Sequence, residues 1–513
     1  MNYRRSSGIL LHPTSLPGPD GIGDIGPEAY RWIDYLHECG CGLWQILPLN
    51  PTGYGDSPYQ AFSAFAGNPN IISPALLRED GLLKRFDLSD RPVFPDDEVQ
   101  YGPVIEWKAT LLHRAFTNFN QNPDRQLRAA YDEFKDTQAH WLQDYALFMT
   151  IKNQQGGASW ANWPEDLRKR RPDALARILD TQGEEIESIK FRQFLFFRQW
   201  KSLVDYAHEK DILIIGDIPI FVAYDGADAW SHPELFYLDE DLNPTFVAGV
   251  PPDYFSPTGQ LWGNPLYHWR QHEKTGFRWW IERLRTTLQT VDLVRLDHFR
   301  GFSGYWEIPA DMPTAEIGRW VKGPGAGILQ AFNNALGDLP IIAEDLGVIT
   351  DDVHAMRDQF NLPGMKIFQF AFSNSPADPF LPHNYPHNCV AYTGTHDNDT
   401  ALGWYNSAPK AEQDFFRRYT GRSGENVSWD MIRAVWSSVA MFAIAPLQDF
   451  LSLDTHARMN FPGKPAGNWG WRVRPEALNA NLSTSIHDFN WLYRRLAGEI
   501  EEIPQEEVTY EEP

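Results

Sequence analysis

A chain of 513 residues with 42% hydrophobic content can bury a large core, and its length admits either two or three average domains or one barrel with long insertions. A formal net charge of −23 opposes binding to nucleic acid or to an anionic membrane, but does not penalise a neutral polymer. Three cysteines, Cys39, Cys41 and Cys389, give no disulfide framework and suit a reducing compartment.

Arg4-Arg5 precedes an apolar run that stops at His12-Pro13, too short for the ~7–15 apolar residues of an export signal. The longest apolar stretch, near 434–447, is broken by Ser437-Ser438 and makes no membrane span. A cytoplasmic protein is expected, or one of the plastid stroma if the chain is a processed plant protein.

Eight short apolar runs then follow in order, most closing on polar groups: 8–14, 43–49, 212–222, 293–299, 339–346, 365–370, 389–395 and 441–448. Helical patterns separate most of them, as at 27–38 and 351–358. The alternation predicts an α/β fold, a single (β/α)8 TIM barrel over residues 1–513. Two intervals exceed simple connections. Residues 50–211, with amphipathic segments at 137–152 and 189–208, read as an inserted, mainly helical subdomain. Residues 223–275, rich in Pro, Gly and aromatics, read as a loop or lid over the strand ends, and the acidic stretch 499–512 as a solvated tail.

Three runs end in ionisable clusters at the rim where a barrel keeps its chemistry. In Val291-Asp-Leu-Val-Arg295-Leu-Asp297, the period of two puts Arg295 and Asp297 on one face, so the guanidinium can orient an ionised carboxylate, as a nucleophile requires. In Ile341-Ile-Ala-Glu344-Asp345 the two acids diverge and only one enters the barrel mouth. Glu344 is chosen, because a nearby charged Asp297 raises its pKa toward that of a general acid. His396-Asp397 follows Thr393-Gly394-Thr395, where glycine permits close approach of a ligand. Carboxylates at three strand ends suit glycosidic chemistry, which needs one acid and one nucleophile or charge stabiliser. No HExxH or comparable spacing argues for a metal, and no cofactor is implied. Gly21-Ile-Gly23-Asp-Ile-Gly26 matches a dinucleotide fingerprint, but Ser15–Asp20 separates it from the strand and the next strand closes on Pro48-Leu49-Asn50, without the required acid. Tyr54-Gly-Asp-Ser57-Pro-Tyr59 and Gln260-Leu-Trp262-Gly-Asn264 place aromatics beside hydroxyls and amides, a mixture suited equally to sugar stacking and to turn packing.

These stretches, with Leu10-Leu-His-Pro-Thr-Ser-Leu-Pro, Trp44-Gln-Ile-Leu-Pro-Leu, Gly216-Asp217-Ile-Pro-Ile, Gly249-Val-Pro-Pro-Asp-Tyr-Phe and Asn468-Trp-Gly-Trp-Arg, resemble the 4-α-glucanotransferases (amylomaltases, or disproportionating enzymes) of glycoside hydrolase family 77. The resemblance covers nearly the whole chain. It implies that Asp297 is the nucleophile, Glu344 the acid/base and Asp397 the transition-state stabiliser. It implies sugar contacts from Arg295, His396, Asp217, Ser57, Tyr59, Gln260, Trp262 and Asn468, and a second glucan groove at Tyr54 and Tyr101. The implied partners are α-1,4-glucans such as maltooligosaccharides, amylose, starch or glycogen. One departure stands out: where the family often carries an acid, this chain has Ser373. An α-amylase-like hydrolase and a catalytically silent glucan-binding scaffold are the alternatives.

Overall fold

The computed structural model describes residues 3–498 apart from 123, 253–255, 374 and 465, so the acidic tail expected at 499–512 lies outside the described residues. Its strands are β1 (Ser6–Leu10), β2 (Leu43–Gln45), β3 (Leu213–Pro219), β4 (Phe246–Val250), β5 (Gln260–Pro265), β6 (Leu293–Asp297), β7 (Gly304–Pro309), β8 (Arg319–Lys322), β9 (Ile341–Ala343), β10 (Gly364–Ile367), β11 (Cys389–Tyr392) and β12 (Phe442–Pro446). Eight of them form one parallel sheet in the order β10-β11-β12-β1-β2-β3-β6-β9. Its two edges meet where the Ala343 N–H donates to Pro363 O at 2.9 Å and the Met365 N–H donates to Asp345 Oδ1 at 2.7 Å. The fold is a (β/α)8 barrel.

Each barrel strand sends apolar side chains to the interior: Leu10, Leu43, Ile215, Leu293, Ile342, Met365, Val390 and Ile444 pack in one buried cluster. Helices cover the outside, as Trp32, Ile33 and Leu36 do from the helix Pro27–Glu38. All eight predicted runs overlap barrel strands, but the strands stop sooner. The run at 8–14 ends at Leu10 because Pro13 opens a 3-10 turn, and 339–346 contracts to Ile341–Ala343. The helix expected at 137–152 begins at Ala139, just after another that ends at Thr137, and the one expected at 189–208 extends over Gly183–Glu209.

The described residues of the segment 223–275 include regular structure. They carry β4 and β5, which join β7 and β8 in a four-stranded antiparallel sheet of order β5-β4-β7-β8. The fingerprint glycines serve packing. A Cβ on Gly23 would sit 2.0 Å from Pro13 O, and Gly21, at φ +75°, lies against Phe94. Among the described residues no helix is long and apolar enough to cross a membrane.

Candidate active site

β6 and β9 lie side by side with Leu296 opposite Ala343, so the next residues, Asp297 and Glu344, leave the barrel at adjoining points of its carboxyl rim. Arg295 is 4% exposed. Its Nη2 donates to Asp297 Oδ1 at 2.6 Å, and its Nη1 donates to Asp217 Oδ2 on neighbouring β3. Asp217 also accepts from the Tyr59 hydroxyl at 2.9 Å. Burial pushes the Asp217 carboxyl up to about 6 despite the opposing pull of Arg295. One guanidinium thus clamps two carboxylates and fixes where Asp297 points.

Glu344 is buried, and each carboxyl oxygen takes a backbone donor: the His298 N–H to Oε2 at 2.7 Å and the Leu346 N–H to Oε1 at 2.8 Å. Burial, then the charge of Asp297, pushes its pKa up to about 8, outweighing Arg295 and the two N–H groups. A carboxyl whose surroundings favour its protonated form therefore stands beside Asp297, whose side chain is held on an arginine. Asp345 faces away. Its Oδ2 accepts from Arg357 at 2.5 Å and its Oδ1 from Met365 at the barrel seam.

After β11, the turn carrying Gly394 brings His396 and Asp397 to the same rim; a Cβ on Gly394 would lie 2.7 Å from Gln369 Nε2. The His396 ring is buried and lies parallel to Tyr59, with centroids 5.0 Å apart, and Trp469 flanks both rings. Asp397 Oδ2 is 3.3 Å from His396 Nε2, and Oδ1 accepts from Asn460 Nδ2 at 2.7 Å. Desolvation opposes ionisation of Asp397, but His396 and Asn460 prevail and hold it well below the usual carboxylate range. With its side chain 47% exposed, those partners weigh more than burial does.

The residues predicted to touch sugar occupy different positions. Trp262 on β5 meets the His298 ring edge-on, centroids 4.8 Å apart at 89°, and donates from Nε1 to Gln260 Oε1 at 3.1 Å. Ser57 Oγ accepts from the Tyr59 N–H at 3.2 Å and so shapes the turn that presents that ring. The amide of Asn468 is engaged within its own loop, Oδ1 accepting from the Phe461 N–H and Nδ2 donating to Lys464 O. Tyr54 is 78% exposed, whereas Tyr101 is partly buried with its hydroxyl donating to Trp469 O at 3.0 Å. Ser373 donates to Asp378 Oδ2, which brings a carboxylate to that position from five residues further along.

Sequence reasoning missed four residues that shape the site. Asn460 and Arg458 hold Asp397, the latter through its carbonyl at 2.5 Å. Trp469 backs Tyr59 and His396. His298 binds Glu344. Two carried a signal: Trp469 by its place in the Asn468-Trp-Gly-Trp-Arg motif, and His298 by following Asp297 within the run 293–299.

Residues 11–479 match the family profile of glycoside hydrolase family 77, described as 4-alpha-glucanotransferase. The chain belongs to glycoside hydrolase family 77. Within that family it is 52% identical over 487 residues to the 4-alpha-glucanotransferase of Thermus thermophilus, covering 93% of this chain and 97% of that one. It is 49% identical over 496 residues to the 4-alpha-glucanotransferase of Synechocystis, covering 96% and 98%. Among solved structures, an amylomaltase from Streptococcus agalactiae in complex with acarbose aligns with a TM-score of 0.93 at 39% identity, over 96% of this chain and all of that one.

Proposed function

We propose that this chain is a 4-α-glucanotransferase that moves a segment of an α-1,4-glucan onto the 4-hydroxyl of another glucan or of glucose, by a retaining double displacement without a cofactor. The observation that carries the reading is the pairing of a proton-retaining Glu344 with an arginine-clamped Asp297 on adjoining strand ends, in a chain so similar to named 4-alpha-glucanotransferases.

The Glu344 O–H gives its proton to the glycosidic oxygen as the C1–O bond breaks, and an Asp297 oxygen bonds to C1. The shortened glucan leaves. Glu344, now ionised, takes the proton of an incoming 4-hydroxyl, whose oxygen attacks C1 and releases Asp297. Two inversions restore the α configuration. Asp397, kept charged by His396 and Asn460, steadies the oxocarbenium-like transition state. Arg295, Asp217, His396 and Tyr59 form the wall of the glucosyl subsite, with Ser57, Gln260, Trp262 and Asn468 toward the flanking sugars. Tyr54 and Tyr101 form a second glucan groove.

Transfer outruns hydrolysis when the acceptor excludes water from the covalent intermediate. Within a single catalytic barrel we assign that shielding to 223–275, whose strand β5 carries Trp262, and treat 50–211 as an inserted, mainly helical subdomain. The protein works in the cytoplasm, or in a plastid as the names of the potato and Arabidopsis relatives indicate for those proteins. Incubation with maltotriose tests the reading. Glucose together with maltopentaose and longer chains, at constant total reducing ends, is expected. Reducing ends that rise with turnover would mark a hydrolase, and no turnover a silent binder.

A further inference from the structure

His298 directly follows Asp297 and holds a left-handed backbone, φ 53° and ψ 46°, a region that residues with a side chain rarely enter. The consequence is local and chemical: the turn rotates its N–H onto Glu344 Oε2 at 2.7 Å. The ring does not participate as a base. Burial, then Arg300, holds its pKa at about 3, and its Nε2 is buried without a hydrogen-bond partner. What the ring does is pack. It takes the edge of Trp262 at 4.8 Å, lies 6.4 Å from the Phe221 ring, and its Cδ2 is 3.2 Å from where a Cβ on Gly301 would stand.

We propose that His298 is a positioning residue through which strand β5 steadies the acid/base: Trp262 and Phe221 hold the imidazole, the imidazole holds the left-handed turn, and the turn aims its N–H at Glu344. This inference rests on the reading of Glu344 as the acid/base. It makes Trp262 act on proton transfer as well as on sugar, with no direct contact between the indole and Glu344 required.

A donated N–H favours the ionised carboxylate, so a turn that loosens raises the proton affinity of Glu344. The other charged groups around Glu344 stay in place: Asp297 and Arg295 on β6, Asp217 behind Arg295 on β3, Arg300 on the same turn, and Asp345 directed away toward Arg357. Substitution at 298 therefore moves the basic limb of activity and leaves sugar affinity largely alone.

The test is kcat against pH with maltotriose for the full-length wild type and for His298→Gly, His298→Ala, His298→Asn, Trp262→Ala and the Gly/Ala double variant, with circular dichroism to check folding. His298→Gly and His298→Ala are expected to lose kcat about tenfold, to raise the basic limb by roughly half to one pH unit, and to change KM little. His298→Asn, which tolerates the left-handed region while leaving the backbone fewer alternatives than glycine does, is expected to restore part of both effects. Trp262→Ala alone raises the same limb, and adding it to His298→Gly gives no further shift. Folded variants whose basic limb coincides with that of the wild type, or shifts that add in the double variant, overturn the inference. Should the His298 variants fail to fold, the limb of Trp262→Ala decides, because it must still rise. A wild type that does not disproportionate maltotriose sinks the underlying reading instead, so the two failures are distinguishable.

Discussion

Replacing Glu344 with glutamine changes how stability depends on pH, and the direction follows from its surroundings. Burial first, and Asp297 second, raise the Glu344 pKa from 4.5 to about 8. Below 4.5 the folded and unfolded wild type both hold that proton, and no penalty exists. As pH climbs from 4.5 toward 8, the unfolded chain gains by ionising Glu344 while the folded chain does not. Wild-type stability then falls by up to ~1.4 kcal/mol per pH unit from this group, on the order of 5 kcal/mol at most. Above about 8 both states are ionised and the loss stops growing. Glutamine cannot ionise, so the variant escapes this loss. It carries a constant offset instead. Its amide nitrogen cannot accept from either the His298 or the Leu346 N–H, which leaves one buried donor unmatched at ~1–3 kcal/mol. The readout is therefore how the stability difference changes with pH, not its value at one pH. Urea denaturation of both proteins between about pH 4.5 and 9, at fixed ionic strength, measures it. The variant is expected to gain on the wild type by a few kcal/mol, about 2 to 5, as pH rises to 8. A pH-independent difference, or a wild type that gains on the variant, refutes the burial argument.

Asp297→Asn and Glu344→Gln should each lower kcat by about three or more orders of magnitude with the fold intact, as circular dichroism and kinetics with maltotriose will report. Asp345→Asn should do the reverse: its carboxylate closes the barrel seam against Arg357 and Met365, so it should cost ~2–4 kcal/mol of stability, read as a lower Tm, with kcat nearly retained at low temperature. The wild-type rate should fall above a pH of about 8, where Glu344 loses its proton; a rate that keeps rising into alkali would point to another acid. Trp262→Ala should raise the ratio of reducing ends formed to glucose released from maltotriose, because a large half-buried ring beside His298 is lost.

Much of the barrel was legible because its strands are buried on both faces and read as short apolar runs. Their ends were overrun for a physical reason. Polar rim residues continue the run in sequence after the ladder has stopped, as at 344–346: the Glu344 N–H still donates to Leu296 O, but the Leu346 N–H donates to the Glu344 carboxyl, and the Asp345 carboxylate accepts from the Met365 N–H across the seam. The divergence of Glu344 and Asp345 needed only strand alternation. The second sheet was not legible, since β4 pairs with β7 across more than fifty residues and nothing local records the partner. The same holds for Asp397: its hydrogen bond comes from Asn460, more than sixty residues along the chain, whose N–H also donates to His396 O. His298 stood beside Asp297 in the sequence but received no role, because the left-handed turn that aims its N–H leaves no mark in a single sequence.

In the proposed reaction Asp297 forms a bond to the sugar while Glu344 supplies and recovers the proton. Glu344→Gln incubated with a maltosyl fluoride separates these roles, because fluoride leaves without needing a proton, whereas the later attack still lacks its base. Intact-mass and peptide mass spectrometry should then find a maltosyl adduct accumulating on the peptide that contains Asp297, and none in the double variant with Asp297→Asn. An adduct on another carboxylate, or release of fluoride at a sustained rate with no adduct on Asp297, would rule out Asp297 as the nucleophile.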